Sequence, residues 1–236
     1  HYFFQVKDYP SIKSWVFHDY EEAVNFANNS EYPIVFKLSV GASSSNVTIL
    51  NNKEEAINII NRIFAKGIEP NKNNIDLIKK GEPFLTRIKN RLKDVNYPIV
   101  QKEYAYFQEY LPNNNYDIRV NVIGDRIFAF VRHNRDNDFR ASGSGKIDYN
   151  KDLIPKEVLK IAYRISKENN FQSMAYDFLK DQNGNYLINE ISYSYRSDPV
   201  TDCNGYWNPA LEFIDERISP EESIVDDFIE YINTTK

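Results

Sequence analysis

The chain has 236 residues, of which 42% are hydrophobic and 14% aromatic, which is enough apolar material for a packed core in one or two domains. Its formal charge of −5 at pH 7 argues against general binding to polyanions, so we expect no nucleic acid among its partners. One cysteine, three histidines and no apolar run of bilayer length exclude a disulfide framework and a Cys/His zinc cluster, and we expect a cytoplasmic protein without a membrane span.

Two helices are predicted in the first third of the chain. Asp19 and Glu22 match a capping box at the start of the first helix. Asn52 can cap the second helix, whose apolar residues recur at helical spacing: Ala56, Ile59, Ile60 and Ile63. Each helix therefore has one face suited to burial.

Strands surround these helices. Residues 32–40 are almost continuously apolar and carry one charge, Lys37, and a turn of small residues follows at 41–46. Further strands are predicted at residues 15–17 and 47–50. Strands and helices together predict an α+β unit.

Residues 66–96 interrupt this pattern and are interpreted as an insertion rich in Asn and Lys. Part of it predicts a short basic amphipathic helix with three inward apolar residues, Leu85, Ile88 and Leu92. Its basic residues are interpreted as a solvated face rather than a patch for an anionic partner: Arg87, Lys89 and Arg91.

A hairpin is predicted around Gly124-Asp125, because a two-residue loop of this type joins two alternating strands. The pairing places Asp117 opposite Arg132, Arg119 opposite Phe130 and Asn121 opposite Phe128. The other face is apolar and must be core: Ile118, Val120, Val122, Ile127, Ala129 and Val131. The polar face is either solvent decoration or the floor of a ligand site.

A second hairpin is predicted from residues 174–180 and 186–191, with Asn183-Gly184 as its two-residue loop. That loop would place Asp177 opposite Glu190, Leu179 opposite Ile188 and Ala175 opposite Ser192. Opposed carboxylates lie roughly 5 Å apart and repel each other. They are either two solvated acids or ligands for a hard cation such as Mg²⁺.

The last helix is predicted to begin at Ser219, which is followed by Pro220 and by the acidic Glu222. Its predicted buried stripe consists of Ile224, Val225, Phe228 and Ile232. The preceding aromatic loop, residues 193–207, either stacks on a sugar ring or packs against this helix.

Four segments, taken in order, resemble the ATP-grasp superfamily and are most similar to its branch of RimK-like carboxylate–amine ligases. They are PIVFKLSVGASSSNV, FQEYLPNNNYDIRVNVIGDRI, DFRASGSGK and AYDFLKDQNGNYLINEIS. The resemblance covers roughly residues 30–65 and 97–195 and depends on order, since each motif alone is weak. It implies two α+β subdomains, 1–107 and 108–236, whose antiparallel sheets grip ATP between them. The family's preceding domain has no clear counterpart before Trp15.

The resemblance also implies roles for individual residues. Those implied to bind ATP are Lys37, Gly41, Ser43, Ser44 and Ser142 near the phosphates, Glu109, Tyr110 and Leu111 at the adenine, and Asp117 at the ribose. The arginines implied to act on the reacting groups are Arg119, Arg132 and Arg140. The implied ligands of Mg²⁺, with Mn²⁺ as the alternative metal, are Asp177, Glu190 and Ser192. The family carries Glu-x-Asn where this chain has Glu190-Ile-Ser192, which leaves a second metal ion open.

The implied activity is that of an ATP-dependent ligase, which activates a carboxylate as an acyl phosphate for attack by an amine. One alternative is a kinase that phosphorylates a hydroxyl of a sugar or glycan precursor, and another is a non-catalytic ATP-binding module. The expected partner is a small-molecule or glycan-precursor substrate. The sequence leaves the oligomeric state open, and a dimer is compatible with it.

Overall fold

A computed structural model describes residues 2–39, 46–70, 100–135 and 138–234. The helices are α1 (Tyr2–Lys7), α2 (Tyr20–Asn29), α3 (Lys53–Ala65), α4 (Lys156–Glu168), α5 (Asp198–Thr201) and α6 (Pro220–Thr234). The strands are β1 (Ser14–Phe17), β2 (Ile34–Lys37), β3 (Val47–Leu50), β4 (Ala105–Glu109), β5 (Tyr116–Ile123), β6 (Arg126–His133), β7 (Ile147–Asp148), β8 (Ser173–Lys180), β9 (Tyr186–Ser192), β10 (Tyr206–Trp207) and β11 (Phe213–Ile214). The mixture of helices and antiparallel sheets confirms the α+β class.

The chain forms two compact units, and the first spans Lys13–Tyr110. Its antiparallel sheet has the order β1-β4-β2-β3. Helix α3 packs on this sheet through its four predicted apolar residues, and α2 packs there through Ala23 and Ala27, all buried with Phe36 and Phe107. Both predicted caps form, since the side chains of Asp19 and Asn52 accept hydrogen bonds from the third backbone N–H that follows each of them.

The second unit comprises Tyr2–Ile12 and Leu111–Lys236. Its antiparallel sheet has the order β11-β10-β6-β5-β8-β9, with β7 paired to β6. Helix α4 covers one face of the sheet. The hydrophobic core between them includes every residue predicted for the apolar face of β5 and β6.

The N-terminal segment differs from the predicted division of the chain, which placed residues 1–107 in one subdomain. Helix α1 leads Phe4 and Tyr9 into the core of the second unit. Residues 10–12 then run beside β9, where Ile188 exchanges backbone hydrogen bonds with Pro10 and Ile12 at 2.9 and 3.0 Å. The segment therefore covers an edge of the second sheet.

The β5–β6 hairpin confirms its predicted register at every position. Asp117 lies opposite Arg132, Arg119 opposite Phe130, and Asn121 opposite Phe128. Charged and apolar residues therefore alternate between the two faces of the sheet as the strand period requires.

The β8–β9 hairpin confirms only part of its predicted register. Asp177 lies opposite Glu190 and Ala175 opposite Ser192, as expected, but Leu179 lies opposite Leu187 rather than Ile188. The loop is longer than predicted, residues 181–185, because the Asp181 side chain accepts from the backbone N–H groups of Asn183 and Asn185. A bulge between Asp177 and Phe178 restores the register on the side of the carboxylates.

The predicted buried stripe of the last helix is wrong. The capping box forms, because Ser219 Oγ accepts from the Glu222 backbone N–H and the Glu222 carboxylate accepts from the Ser219 backbone N–H. However, Val225 and Phe228 are 54% and 61% exposed, since the helix contacts the sheet through another face.

Among the helices that the structure describes, none is long and apolar enough to cross a membrane.

We predict that Gly205→Ala destabilises the second unit. A Cβ atom at Gly205 would lie 2.2 Å from the backbone oxygen of Ile214, and backbone yields less readily than a side chain. The free energy of unfolding, measured with urea, is expected to fall by about 1–3 kcal/mol. Asp202→Ala, at an exposed neighbour, is the control and should change it by less than about 0.5 kcal/mol. Equal stability of the two variants would contradict this packing.

Candidate active site

Four charged side chains from three adjacent strands meet on one face of the second sheet. Arg132 of β6 donates from Nε and Nη2 to the two carboxylate oxygens of Asp117 on β5, at 2.7 and 2.5 Å. The same Nη2 lies 2.8 Å from Oδ2 of Asp177 on β8. Arg119 of β5 donates from Nε and Nη2 to the two oxygens of Asp177, each at 2.7 Å. The result is a continuous network of two arginines and two aspartates, hereafter the ion-pair network.

Strand register creates this network. Asp117 and Arg119 are two residues apart on β5, so both side chains point to the same face. Arg132 lies opposite Asp117 on one neighbouring strand, and Asp177 lies opposite Arg119 on the other. Each carboxylate of the network therefore has a guanidinium directly opposite it on a neighbouring strand.

Burial removes water from the charged groups of the network, so each charge depends on its ion-pair partners. Asp117, Asp177 and Arg132 are between 3% and 7% exposed. Although burial opposes ionisation of Asp177, Arg132 and Arg119 hold the pKa of its carboxyl well below the usual range. Burial raises the pKa of Asp117 to about 6, in spite of its pairing with Arg132. Asp177 is therefore a fixed negative charge between two fixed positive charges.

Arg119 occupies the accessible end of the network. Its side chain is 19% exposed, and its Nε and Nη2 are used by Asp177. No acceptor among the described residues contacts its Nη1. One edge of the guanidinium is thus fixed by an ion pair, while the other edge has N–H groups for an anion.

The predicted metal ligands lie on the same face. Glu190 is exposed and opposite Asp177. Asp177 accepts three N–H groups, and a carboxylate has about four acceptor positions, so one position remains for a cation. The hydroxyl of Ser192 donates to the Ser194 carbonyl at 2.7 Å. The donor set fits a hard divalent ion held by Asp177 and Glu190.

Within the described residues, no three His, Cys, Asp or Glu side chains come close enough together to hold a metal alone. An ion bound by the two carboxylates would therefore take its remaining oxygens from phosphate and water. Mg²⁺ is commonly held in this manner.

Arg140, also predicted for the site, is paired elsewhere. It donates from Nε and Nη2 to Asp138, at 2.9 and 2.6 Å. Ser142 is half-buried, and its backbone carbonyl accepts from Arg135 at 2.8 Å. These contacts stabilise the loop between β6 and β7 rather than extend the ion-pair network.

Of the remaining predicted nucleotide ligands, Lys37 and Glu109 lie in the first unit. Lys37 is half-buried at the end of β2, between β3 and β4, and Glu109 is exposed at the end of β4. Tyr110 ends the first unit, and Leu111 begins the longer of the two segments that form the second unit. The predicted loop ligands Gly41, Ser43 and Ser44 lie outside the described residues, as does the amphipathic helix predicted in the insertion.

Two features of this face were not predicted from the sequence. One is the bridge from Arg132 to Asp177, which needs the order of β6, β5 and β8 in the sheet. The other is the burial of Asn121, which is 0% exposed. Its amide atoms make no hydrogen bond of normal geometry to any described residue, and the Tyr195 hydroxyl lies near them. The aromatic loop causes this burial, because Tyr195 and Tyr206 pack on the sheet.

Comparison with known proteins identifies the family. Residues 7–202 match the model of the RimK-like ATP-grasp domain. This chain belongs to the RimK-like ATP-grasp family. The match covers most of the chain, including the first sheet, strands β5 to β9 of the second sheet and the ion-pair network. No curated protein matches it in sequence.

Two solved structures with TM-scores above 0.5 share the fold. The macrocyclase MdnC from Microcystis aeruginosa MRC, bound with precursor peptide MdnA, is 13% identical with a TM-score of 0.51, covering 95% of this chain and 56% of that chain. The biotin carboxylase domain of Hydrogenobacter thermophilus 2-oxoglutarate carboxylase, in complex with MgADP and bicarbonate, is 18% identical with a TM-score of 0.52, covering 82% of this chain and 38% of that chain. The ATP-grasp ligase PsnB, complexed with minimal precursor, Mg and ADP, is 17% identical with a TM-score of 0.49, covering 84% of this chain and 49% of that chain. This chain thus spans between 38% and 56% of the length of these proteins.

We predict that Arg132→Met strongly destabilises the protein, because Asp117 then loses its bidentate partner in a buried site. Loss of one member of a buried ion pair costs about 3–5 kcal/mol. Urea unfolding should show a smaller effect of the substitution in an Asp117→Asn background, since the two residues are coupled. Arg196→Met is the control, because Arg196 and its partner Asp198 are exposed, and it should change nothing measurable. Additive effects of the two substitutions at Asp117 and Arg132 would contradict the coupling.

Acid should weaken the fold through Asp177. In the unfolded chain an Asp side chain takes up a proton at about pH 3.9, whereas native Asp177 stays ionised there. The unfolded state then binds more protons, so this contribution to stability is complete above about pH 5 and is lost progressively as the pH falls through the pKa of the unfolded chain and towards that of native Asp177. Urea unfolding between pH 5 and pH 3 should show a steeper loss for the native sequence than for Asp177→Asn. Parallel pH curves would exclude a depressed pKa at Asp177.

Proposed function

We propose that this RimK-like domain is the catalytic part of an ATP-dependent carboxylate–amine ligase that uses Mg²⁺, or Mn²⁺ in its place. The observation that supports it most is the arrangement of Arg119 beside Asp177 and Glu190. An anion-binding guanidinium edge and two carboxylates share one sheet face. Such a face is suited to a metal-bound polyphosphate next to a second anion.

The first step would join the substrate carboxylate to the γ-phosphorus of ATP. A carboxylate oxygen attacks the phosphorus, the bond to the β-bridging oxygen breaks, and ADP leaves with that electron pair. The free Nη1 edge of Arg119 would bind the transferred phosphoryl group or the attacking carboxylate. Arg119 needs no rearrangement to do so, because Asp177 holds its other edge in place. Asp177 and Glu190 would hold Mg²⁺, which when bound would neutralise charge at the phosphates.

The second step would form the amide. The nitrogen of an uncharged amine attacks the acyl carbon, inorganic phosphate leaves, and the nitrogen loses a proton. Positive charge at Arg119 stabilises the developing oxyanion and the departing phosphate. Positioning and electrostatics thus account for both steps.

The other arginines would act differently from Arg119. Arg132 is 7% exposed and shared by two carboxylates, so we assign it to positioning Asp117 and Asp177. The Asp117 carboxylate would accept hydrogen bonds from the ribose hydroxyls in addition to those that it accepts from Arg132. Arg140 would approach the phosphates from the loop that its pair with Asp138 stabilises.

ATP recognition is proposed as the family resemblance implies. Lys37 and the small-residue loop with Gly41, Ser43 and Ser44 would bind the phosphates, and Ser142 would lie beside them. Glu109, Tyr110 and Leu111 would bind adenine. Ser192 remains the proposed third metal contact, and its position opposite Ala175 on the same face as Asp177 supports this assignment.

A trapping experiment tests the reaction type. The protein is incubated with ATP, Mg²⁺, hydroxylamine and a panel of amino acids and short acidic peptides whose carboxylates carry ¹⁸O. A ligase transfers one ¹⁸O from the acid to inorganic phosphate and produces a hydroxamate. A kinase instead yields a phosphorylated hydroxyl, and a binding module yields an increased melting temperature with ATP and Mg²⁺ but no ADP. Either of the latter outcomes would replace the proposal.

We predict that Arg119→Met lowers kcat of ADP release by about 10²–10³-fold, the usual effect of removing one group that stabilises transition-state charge. Arg196→Met, an exposed arginine on the loop after β9, serves as the control and should retain full turnover. Circular dichroism would establish that both variants fold. Unchanged kcat in folded Arg119→Met would remove Arg119 from the mechanism.

A further inference from the structure

Helix α6 docks on the second unit through polar residues. Asp227 accepts from Arg126 Nη1 at 2.8 Å and from Gln172 Nε2 at 3.3 Å. Ser223 is fully buried, four residues before Asp227 on the same side of the helix. The contact lies at the tight turn around Gly124, since an added Cβ there would meet the Asp227 carboxylate. The inward face of α6 is therefore polar.

The outward side of α6 carries large apolar side chains. Six large side chains on it are between 38% and 65% exposed: Ile224, Val225, Phe228, Ile229, Tyr231 and Ile232. Four of them, Val225, Phe228, Ile229 and Ile232, recur at the i, i+3, i+4 and i+7 spacing of a helix–helix seam. We call these four residues the α6 seam. Among the described residues, nothing covers the α6 seam, whereas an apolar stripe of this kind is suited to burial against a partner.

The size of the apolar surface fits a dimer. The six side chains leave about 600 Å² exposed, taking roughly 200 Å² for each when fully open. Two copies meeting through this surface would bury about 1,200 Å², the lower end of standard specific interfaces. The largest exposed apolar patch on a monomeric protein is normally about 300–600 Å², so the apolar surface of α6 is at the upper end of that range.

The seam is symmetric about its own centre, between Phe228 and Ile229. An antiparallel copy related by a twofold axis at that point brings Val225 against Ile232 and Phe228 against Ile229. Each residue of the seam then meets another residue of the seam, as an isologous interface requires. We propose that α6 mediates a homodimer by antiparallel pairing of two α6 helices across this axis.

Charge next to the seam predicts how the dimer responds to salt. Helix α6 carries five carboxylates and no basic residue between Pro220 and Thr234: Glu221, Glu222, Asp226, Asp227 and Glu230. Two such helices repel each other, and salt screens that repulsion while leaving the apolar seam effective. Dimerisation should therefore strengthen as ionic strength rises, whereas docking of a basic partner would weaken.

The interface is separate from the candidate active site. Arg126 and Gly124, which α6 contacts, lie at the turn end of the β5–β6 hairpin, and Arg119 lies about 16 Å along β5, five residues at about 3.3 Å each. The inference consequently does not depend on the proposed ligase activity.

Sedimentation velocity of the 236-residue chain tests the proposal. We expect twice the monomer mass at micromolar concentration, with a dissociation constant that falls between 50 mM and 500 mM NaCl. Phe228→Asp should convert the protein to a monomer, because the new charge would be buried only in the dimer. At protein concentrations too low for dimerisation, its melting temperature should equal that of the unsubstituted protein. Val6→Asp, the same kind of change at a residue that is 83% exposed on another helix, is the control and should remain dimeric.

Cysteine cross-linking tests the antiparallel register. In a double variant, Val225→Cys with Ile232→Cys, residues of opposite copies face each other, and mild oxidation should give a covalent dimer. Val225→Cys alone should not cross-link, because its two copies would be about 10 Å apart along the helix axis, beyond disulfide reach. The native Cys203 gives no background, since burial raises the pKa of its thiol to about 12.

Three results would overturn the proposal. One is a monomer at all salt concentrations, which would assign the seam to a different partner. Another is a dimer that persists in Phe228→Asp. The third is cross-linking of Val225→Cys alone with equal yield, which would exclude the antiparallel register.

Discussion

The organisation of the second unit depends on one carboxylate that is shared by two guanidinium groups. Asp177 cannot be buried as an isolated anion, because transfer of a charge from water costs far more than the fold can supply. Arg119 and Arg132 compensate it from β5, on which β8 pairs, and from β6, the next strand. A shift in either strand pairing would leave a buried charge uncompensated. The ion-pair network therefore specifies the alignment of three strands as well as a binding face.

The same strands have opposite chemistry on their two faces. Tyr176 and Phe178 flank Asp177 in sequence and enter the hydrophobic core under α4. Because the apolar face is fixed by this core, the guanidinium edge at Arg119 is held on a rigid support. A rigid support matters for a group that stabilises charge during a reaction, since a displacement near 1 Å can remove much of its effect.

Local patterning was sufficient for the parts of the fold that depend on neighbours in sequence. The caps at Asp19 and Asn52 and the pairing around Gly124-Asp125 follow from residue type and spacing. The bridge from Arg132 to Asp177 could not be predicted, because it depends on which strands become neighbours in the sheet. The apolar stripe of α6 was misassigned for another reason, since periodicity identifies an apolar face but not what covers it. Helix α1 was missed because it is short and is fixed by contacts of Phe4 with distant parts of the chain, while Val6 on the same helix is exposed.

The bulge beside Asp177 gives the strand pairing at the carboxylates a different register from the pairing next to the turn of the β8–β9 hairpin. Without it, the five-residue loop would shift the pairing by one position, and Glu190 would point to the opposite face of the sheet. The extra residue, Asn189, absorbs that shift before the strands reach the candidate site. The loop is thereby free to vary in length and sequence during evolution, provided that a compensating bulge keeps the acidic pair in register.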